Sequence, residues 1–271
     1  MRVLVTGGTG ELGSEVVRRL AEAGHTPRVM SRRSRPADTP ESIEWAQADL
    51  RTGEGLREAV RGMEAVAHAA TASAITTRDV GLFESGDVVE VQGTHRLLEA
   101  ARTAGVAHLL YVSIVGAEQV PFGYYQQKVA AETWVRAGSV PWSILRATQF
   151  HSLLDRLLHA SARLPLVMPL PLDFEFQPID SREVAALVAE VVVSVPGGLL
   201  ADVGGPEILT LGEMAKAWLE IHGLNRRLLR LPLPGKAAAA VRRGALTSPN
   251  HYQGQVTWRE WLSSRLADGR L

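Results

Sequence analysis

Near its start the chain reads Thr6-Gly7-Gly8-Thr9-Gly10-Glu11-Leu12-Gly13, after the apolar run 2–5 and before an amphipathic stretch. Glycines at this spacing permit a tight turn, let backbone N–H groups approach a ligand closely, and allow the following helix to pack against the preceding strand. The positive end of that helix dipole then faces whatever the loop holds, which suits a pyrophosphate. A glycine pattern between a strand and a helix therefore marks a dinucleotide-binding loop, with Gly7, Thr9, Gly10, Glu11, Leu12 and Gly13 as its contacts.

Such a loop commits the chain to a parallel sheet, and the remaining pattern agrees. Short β-rich runs at 2–5, 26–30, 43–46, 65–69, 108–112 and 142–145 alternate with helical periodicity. The spacing predicts helices over 14–23, where Val16, Val17, Leu20 and Ala21 share a face and Gly24 supplies the stop, over 87–103, closed by Gly105, and over 124–137, closed by Gly138. The fold class expected is α/β: a Rossmann-type doubly wound parallel sheet. After Leu145 the character changes. An amphipathic run at 150–158 leads into the proline-rich stretch 164–171, which cannot be a central strand because proline lacks a ladder donor. Thr210 with Glu213 and Thr257 with Glu260 read as capping boxes, Asp180 with Glu183 resembles one, and 236–241 reads as an alanine-rich helix. The expected organisation is a dinucleotide-binding domain over 1–150 and a smaller substrate-binding lobe over 151–271, partly interleaved with the sheet.

Charge and composition narrow the function. Twenty-nine basic residues balance 29 acidic ones, so no global field draws nucleic acid or an anionic membrane, and a small-molecule substrate is expected. Cysteine is absent, which removes disulfides, thiolate nucleophiles and cysteine-bound metal. No apolar stretch reaches the ~20 residues of a membrane span, and the glycine loop follows Met1 too closely for a signal peptide, so a cytoplasmic location is expected.

The second predicted strand ends where NAD-binding folds place an acid for the ribose 2′-hydroxyl. Here the chain reads Ser31-Arg32-Arg33. Two guanidiniums and a hydroxyl suit a 2′-phosphate, so NADP(H) is the cofactor expected.

The glycine loop, Ala48-Asp49-Leu50, His68-Ala69-Ala70, Tyr111-Val112-Ser113, Tyr124-Tyr125-Gln126-Gln127-Lys128 and Ile144-Leu145-Arg146-Ala147-Thr148-Gln149-Phe150 together resemble an extended or atypical short-chain dehydrogenase/reductase close to the NmrA-like NAD(P)H-binding group. The resemblance implies that Asp49 and Leu50 flank the adenine, that Ala69 and Ala70 line the adenosine side, and that Ala147 and Thr148 approach the nicotinamide, with Gln149, Phe150 and His151 toward substrate. It also maps the family's catalytic serine, tyrosine and lysine onto Ser113, Tyr124 and Lys128. An i, i+4 pair shares one helix face, so Tyr124 and Lys128 can address one pocket. A phenol titrating near ~10 is a poor base at neutral pH, and a neighbouring ammonium favours its ionised form. Lys128 would also hold the ribose hydroxyls, and Ser113 the oxygen of the group transformed. One departure stands out: extended members carry V-N-x-x-G-T where this chain has Val89-Glu90-Val91-Gln92-Gly93-Thr94.

The reading that follows is an NADPH-dependent reductase of a small, largely apolar carbonyl, enone or quinone-like compound, with Tyr124 as proton donor. Its rivals are a cofactor-sensing regulator without turnover and a nucleotide-sugar epimerase or dehydratase. The apolar stretch 164–176, without lysine or arginine, favours an uncharged substrate over a diphosphate. His151, Asp155 and His159 could share one helix face, but that face reads as polar and solvated and no metal site is expected. Trp258 and Trp261 read as core anchors.

Overall fold

In a computed structural model the structure describes residues 1–71 and 88–267. Two compact units are present: Met1–Ser113, Gly123–Leu145 and Val184–Leu200 form the first, and Ile114–Phe122, Arg146–Glu183 and Ala201–Leu271 the second.

The first unit is built on a seven-stranded sheet in the order β3-β2-β1-β4-β5-β6-β9. Its strands are β1 (Arg2–Thr6), β2 (Thr26–Ser31), β3 (Glu44–Gln47), β4 (Ala65–His68), β5 (His108–Ile114), β6 (Trp142–Ala147) and β9 (Gly198–Leu199). Chain order reverses between β1 and β4, and β1 pairs in parallel with both β2 and β4. This is the doubly wound Rossmann arrangement that the alternation predicts. Both faces of the central strands are covered, so β4 is buried along its whole length, as parallel strands must be. Leu4 and Val66 enter one apolar cluster with Leu97, Leu98, Leu109, Ala131 and Ile144, while Val3, Val5 and Ala67 point to the opposite face.

Helix α1 (Glu11–Glu22) starts inside the glycine loop, three residues before the predicted 14–23, because Gly10 serves as its N-cap. A short helix, α2 (Leu56–Val60), escaped the sequence pattern. The segment predicted as helix over 87–103 opens as a π-helical turn, Val88–Gln92, and continues as α3 (Gly93–Ala104); Asp87 lies outside the described residues. Helix α4 (Gly123–Ala137) carries the Tyr124–Lys128 pair. The two-residue strand β9 is too short to leave a pattern.

The second unit holds helices α5 (His151–Ser161), α7 (Leu211–Ile221), α8 (Lys236–Arg242) and α9 (Trp258–Ala267), with α6 (Ser181–Val192) beginning in it and running on into the first unit. Two-stranded sheets join β7 (Val167–Leu170) to β11 (Arg227–Arg230) and β8 (Glu175–Phe176) to β10 (Leu209–Thr210). Pro169 therefore sits in a two-stranded ribbon, where a missing donor is tolerated. Thr210 and Glu213 form the expected capping box, and Thr257 and Glu260 exchange the same pair of bonds. Asp180 departs from that pattern: its carboxylate accepts from the Arg182 N–H, while Glu183 accepts from Gln255. Trp258 and Trp261 are buried, as expected of core anchors.

Candidate active site

The glycine loop has the geometry of a close-approach cradle. Gly7 adopts φ +68°, and a Cβ there would lie 2.9 Å from the backbone nitrogen of Ala70. A Cβ at Gly13 would collide with the Gly7 carbonyl oxygen, so the helix can start this close to β1 only with glycine in place. Thr9, Gly10 and Glu11 are exposed around the mouth of the turn, while Leu12 and Gly13 are buried beneath it. These features fit a pyrophosphate laid across the start of α1.

At the end of β2, Ser31 is buried and its hydroxyl accepts from the Arg33 N–H. The Arg32 and Arg33 carbonyls are pinned to β3 by Gln47 Nε2 at 3.1 Å and Trp45 Nε1 at 2.9 Å. Their side chains remain exposed. The backbone is thus fixed while two guanidiniums stand in solvent, able to grip an anion. Asp49 is half-buried and accepts from the Arg51 N–H, Leu50 is buried, and Ala69 and Ala70 are half-buried at the end of β4.

Behind Ala69 a directed chain of hydrogen bonds crosses the unit. The Ala70 N–H donates to Thr6 Oγ1, which lies 2.7 Å from His68 Nδ1. On the other side His68 Nε2 lies 2.9 Å from Thr94 Oγ1, whose hydroxyl donates to the Glu90 carbonyl. With Thr94 already donating onward, it must accept from His68 Nε2–H, which leaves Nδ1 to accept from Thr6. Burial pushes the His68 pKa down to about 4, so the ring is neutral and this tautomer is stable. The neutral imidazole ties the residue before the glycine loop to the π-helical turn.

That turn delivers Glu90, 1% exposed, to the centre of a polar cluster. Its carboxylate meets Lys128 Nζ at 2.9 Å and accepts from the Tyr111 hydroxyl and from Thr71 Oγ1 at 2.7 Å. Thr71 Oγ1 in turn lies 3.3 Å from the Tyr124 hydroxyl. Lys128 also donates to the Val112 carbonyl at 3.2 Å, beside Ser113. Burial works against both charges, but each outweighs it for the other: Lys128 is held above the usual ammonium value and Glu90 below the usual carboxylate value. Burial and the Glu90 charge push the Tyr111 phenol up, leaving it a pure donor to the carboxylate. Ser113 Oγ is buried near the carboxyl end of β5 and has no hydrogen-bond partner among the described residues. Buried hydroxyls are seldom left this way, so its position suits a bound ligand oxygen.

The implied residues from Ala147, the last of β6, to His151 all lie in the second unit. Ala147 bridges to Val203 through backbone. Thr148 Oγ1 and both amide atoms of Gln149 are buried without a partner among the described residues. Phe150 is half-buried and caps α5. His151 corrects the expectation of a solvated face: it is 1% exposed, its ring lies near-parallel to those of Trp258 at 5.7 Å and Trp261 at 5.5 Å in a three-ring cluster, and burial pushes its pKa down to about 4. Asp155 and His159 do meet, at 3.4 Å.

Sequence reasoning missed His68, Thr71, Thr94 and Tyr111 as members of the polar centre. The one available signal was Glu90, whose departure from the asparagine pattern marks the cluster's hub. A π-helical turn at this place is a further sign, since such turns concentrate at functional sites.

A family profile described as NAD(P)H-binding matches residues 7–193. A ceramide reductase of Caulobacter vibrioides is 32% identical over 247 residues, covering 88% of this chain and 76% of the relative. Among solved structures, an NADPH-dependent quinone oxidoreductase of Escherichia coli complexed with NADPH superposes with a TM-score of 0.76 at 19% identity, covering 97% of this chain and 99% of that one. A UDP-glucose 4-epimerase of Thermotoga maritima with UDP-glucose gives 0.77 at 18%, covering 100% and 99%. At these identities the structures speak for the fold.

Proposed function

The chain belongs to the NAD(P)H-binding family, within the short-chain dehydrogenase/reductase group, and from that membership we propose that it is an NADPH-dependent reductase of a small, largely apolar carbonyl, enone or quinone-like compound. That it is an NAD(P)H-dependent oxidoreductase follows from the family and from a relative named as a reductase. The preference for NADPH rests on Arg32 and Arg33 standing free at the end of β2 in place of an acid. The substrate class rests on the stretch 164–176, which has no lysine or arginine of its own and whose Asp173 engages Arg230 and Arg242.

The observation that carries the reading is the bond from Lys128 Nζ to the Val112 carbonyl, because it sets the Tyr124–Lys128 face of α4 beside the strand end that presents Ser113. In this reading Ser113 Oγ donates to the carbonyl oxygen of the substrate, and the Tyr124 phenol delivers a proton to that oxygen. Lys128 has three N–H donors; Glu90 and Val112 engage two, and the third would hold a ribose hydroxyl of the bound cofactor. The reduced nicotinamide, when bound, supplies the two electrons. Glu90 fixes Lys128, and Thr71 links the carboxylate to the Tyr124 hydroxyl, so phenol and ammonium are positioned as one unit.

The test is net consumption of NADPH, followed by its absorbance, against a panel of quinones, enones and apolar ketones. At least one member should be reduced with one NADPH consumed per turnover. Cofactor that binds but is never consumed across the panel would replace the reading with sensing or with retained-cofactor chemistry.

A further inference from the structure

We propose that Asp155, His159 and His222 form a binding site for a divalent transition metal of the zinc type. Asp155 and His159 lie one turn apart on α5, and His222 follows α7 directly as its C-cap. One ligand atom from each residue lies within 4.8 Å of the other two. Zinc bonds of about 2.0–2.2 Å draw ligands closer than that, and the side chain free to turn inward is His159, 44% exposed.

The argument rests on what surrounds the three residues. His222 Nδ1 lies 2.7 Å from the Trp218 carbonyl, which can only accept, so Nδ1 carries the proton and Nε2 keeps its lone pair. That Nε2 is buried and has no hydrogen-bond partner among the described residues. A bare, buried imidazole nitrogen is costly unless something accepts its lone pair, and metal-bound histidines are oriented in this way, by a carbonyl on the far ring nitrogen. Asp155 Oδ1 accepts from Trp218 Nε1 at 2.7 Å, which fixes the carboxylate. The His222 ring stacks on the Trp218 indole at 3.9 Å, and the His159 ring stands edge-on to both. Trp218 thus positions two of the three ligands. Two imidazoles with one carboxylate favour zinc, cobalt or nickel over magnesium or calcium, and three protein ligands leave a position for water. The sequence pattern on α5 hid the set, because its third member comes from α7 and not from His151.

The experiment titrates the full chain with zinc chloride by calorimetry in a non-chelating buffer, then repeats it with cobalt chloride, reading the visible absorption of a nitrogen-ligated ion. One saturable equivalent is expected. The His159→Gln and His222→Gln variants should each weaken zinc by more than about tenfold, and Trp218→Phe by about 10–100-fold through the carboxylate it orients. His159→Gln alters an exposed side chain, so it remains informative if the others fold poorly. Absence of a saturable equivalent in the wild type, or undiminished binding in His159→Gln, would overturn the site. None of these readouts depends on the proposed reductase activity.

Discussion

Two histidines of this chain, one in each unit, share their burial and its effect on their titration but differ in their partners. His68 and His151 are each 1% exposed, and burial pushes both pKa values down to about 4. His68 is bonded at both ring nitrogens and connects β1 to the turn that carries Glu90. Neither ring nitrogen of His151 meets a hydrogen-bond partner among the described residues, and the ring packs in a cluster with Trp258 and Trp261. A depressed histidine therefore says little by itself about function. What distinguishes these two rings is their surroundings: hydroxyls that pair with both nitrogens of His68, and indole rings beside His151.

The contrast breaks most sharply at the Glu90–Lys128 pair. Glu90→Gln or Lys128→Met should each cost about 3–5 kcal/mol in urea unfolding, since removing one partner strands the other charge in the interior. The double variant should cost less than the sum of the two singles. Additive losses would mean that the pair is not energetically coupled.

Next in size is the response to acid. Both histidines have folded pKa values below the ordinary 6.5. As pH falls from 6.5 toward 4 the unfolded chain binds protons that the folded chain refuses, so stability present above pH 6.5 is lost across that window. The loss is about 3 kcal/mol per histidine at most. Glu90, held below its usual value, adds a further loss only at pH below about 4.5. Denaturation midpoints from pH 7 to 4 would show the fall, to which His108, also held below its ordinary value by burial, adds with the same sign, and His151→Phe should remove only the part due to that ring.

The same substitution separates the two rings at neutral pH. His68→Phe takes away the acceptor of the Thr6 hydroxyl and a donor to Thr94 and should cost about 1–3 kcal/mol, whereas His151→Phe keeps a flat ring beside the two indoles and should be near neutral. Equal costs would erase the distinction drawn here. Smallest is the effect at the exposed arginines: Arg32→Ala with Arg33→Ala should weaken NADPH about tenfold in fluorescence titrations and leave NADH unchanged. Equal affinities for the two cofactors in the wild type would contradict the 2′-phosphate assignment.

The first unit was legible where local chemistry decides structure. The glycine loop, the helix stops at Gly24 and Gly105 and the Tyr124–Lys128 spacing all act within a few residues of themselves. The polar centre was not, because Glu90 meets Lys128, and Thr6 meets His68, across long stretches of chain. In the second unit the short strands are made by partners distant in sequence, as where Val167–Leu170 pairs with Arg227–Arg230, so periodicity has too little length to register them. His151 misled because helix spacing gives a face but not its neighbours, and Trp258 and Trp261 arrive from the other end of the unit's sequence.

If Tyr124 serves chemistry while the loop and arginines serve cofactor binding, substitution separates the two. The direct measurement compares wild type, Tyr124→Phe and Tyr125→Phe for both NADPH affinity and steady-state reduction of whichever substrate the panel yields. Tyr124→Phe should bind NADPH as tightly as wild type but turn over about 10²–10⁴-fold more slowly, while Tyr125→Phe retains activity. Full turnover in Tyr124→Phe, or its loss only in Tyr125→Phe, would contradict it.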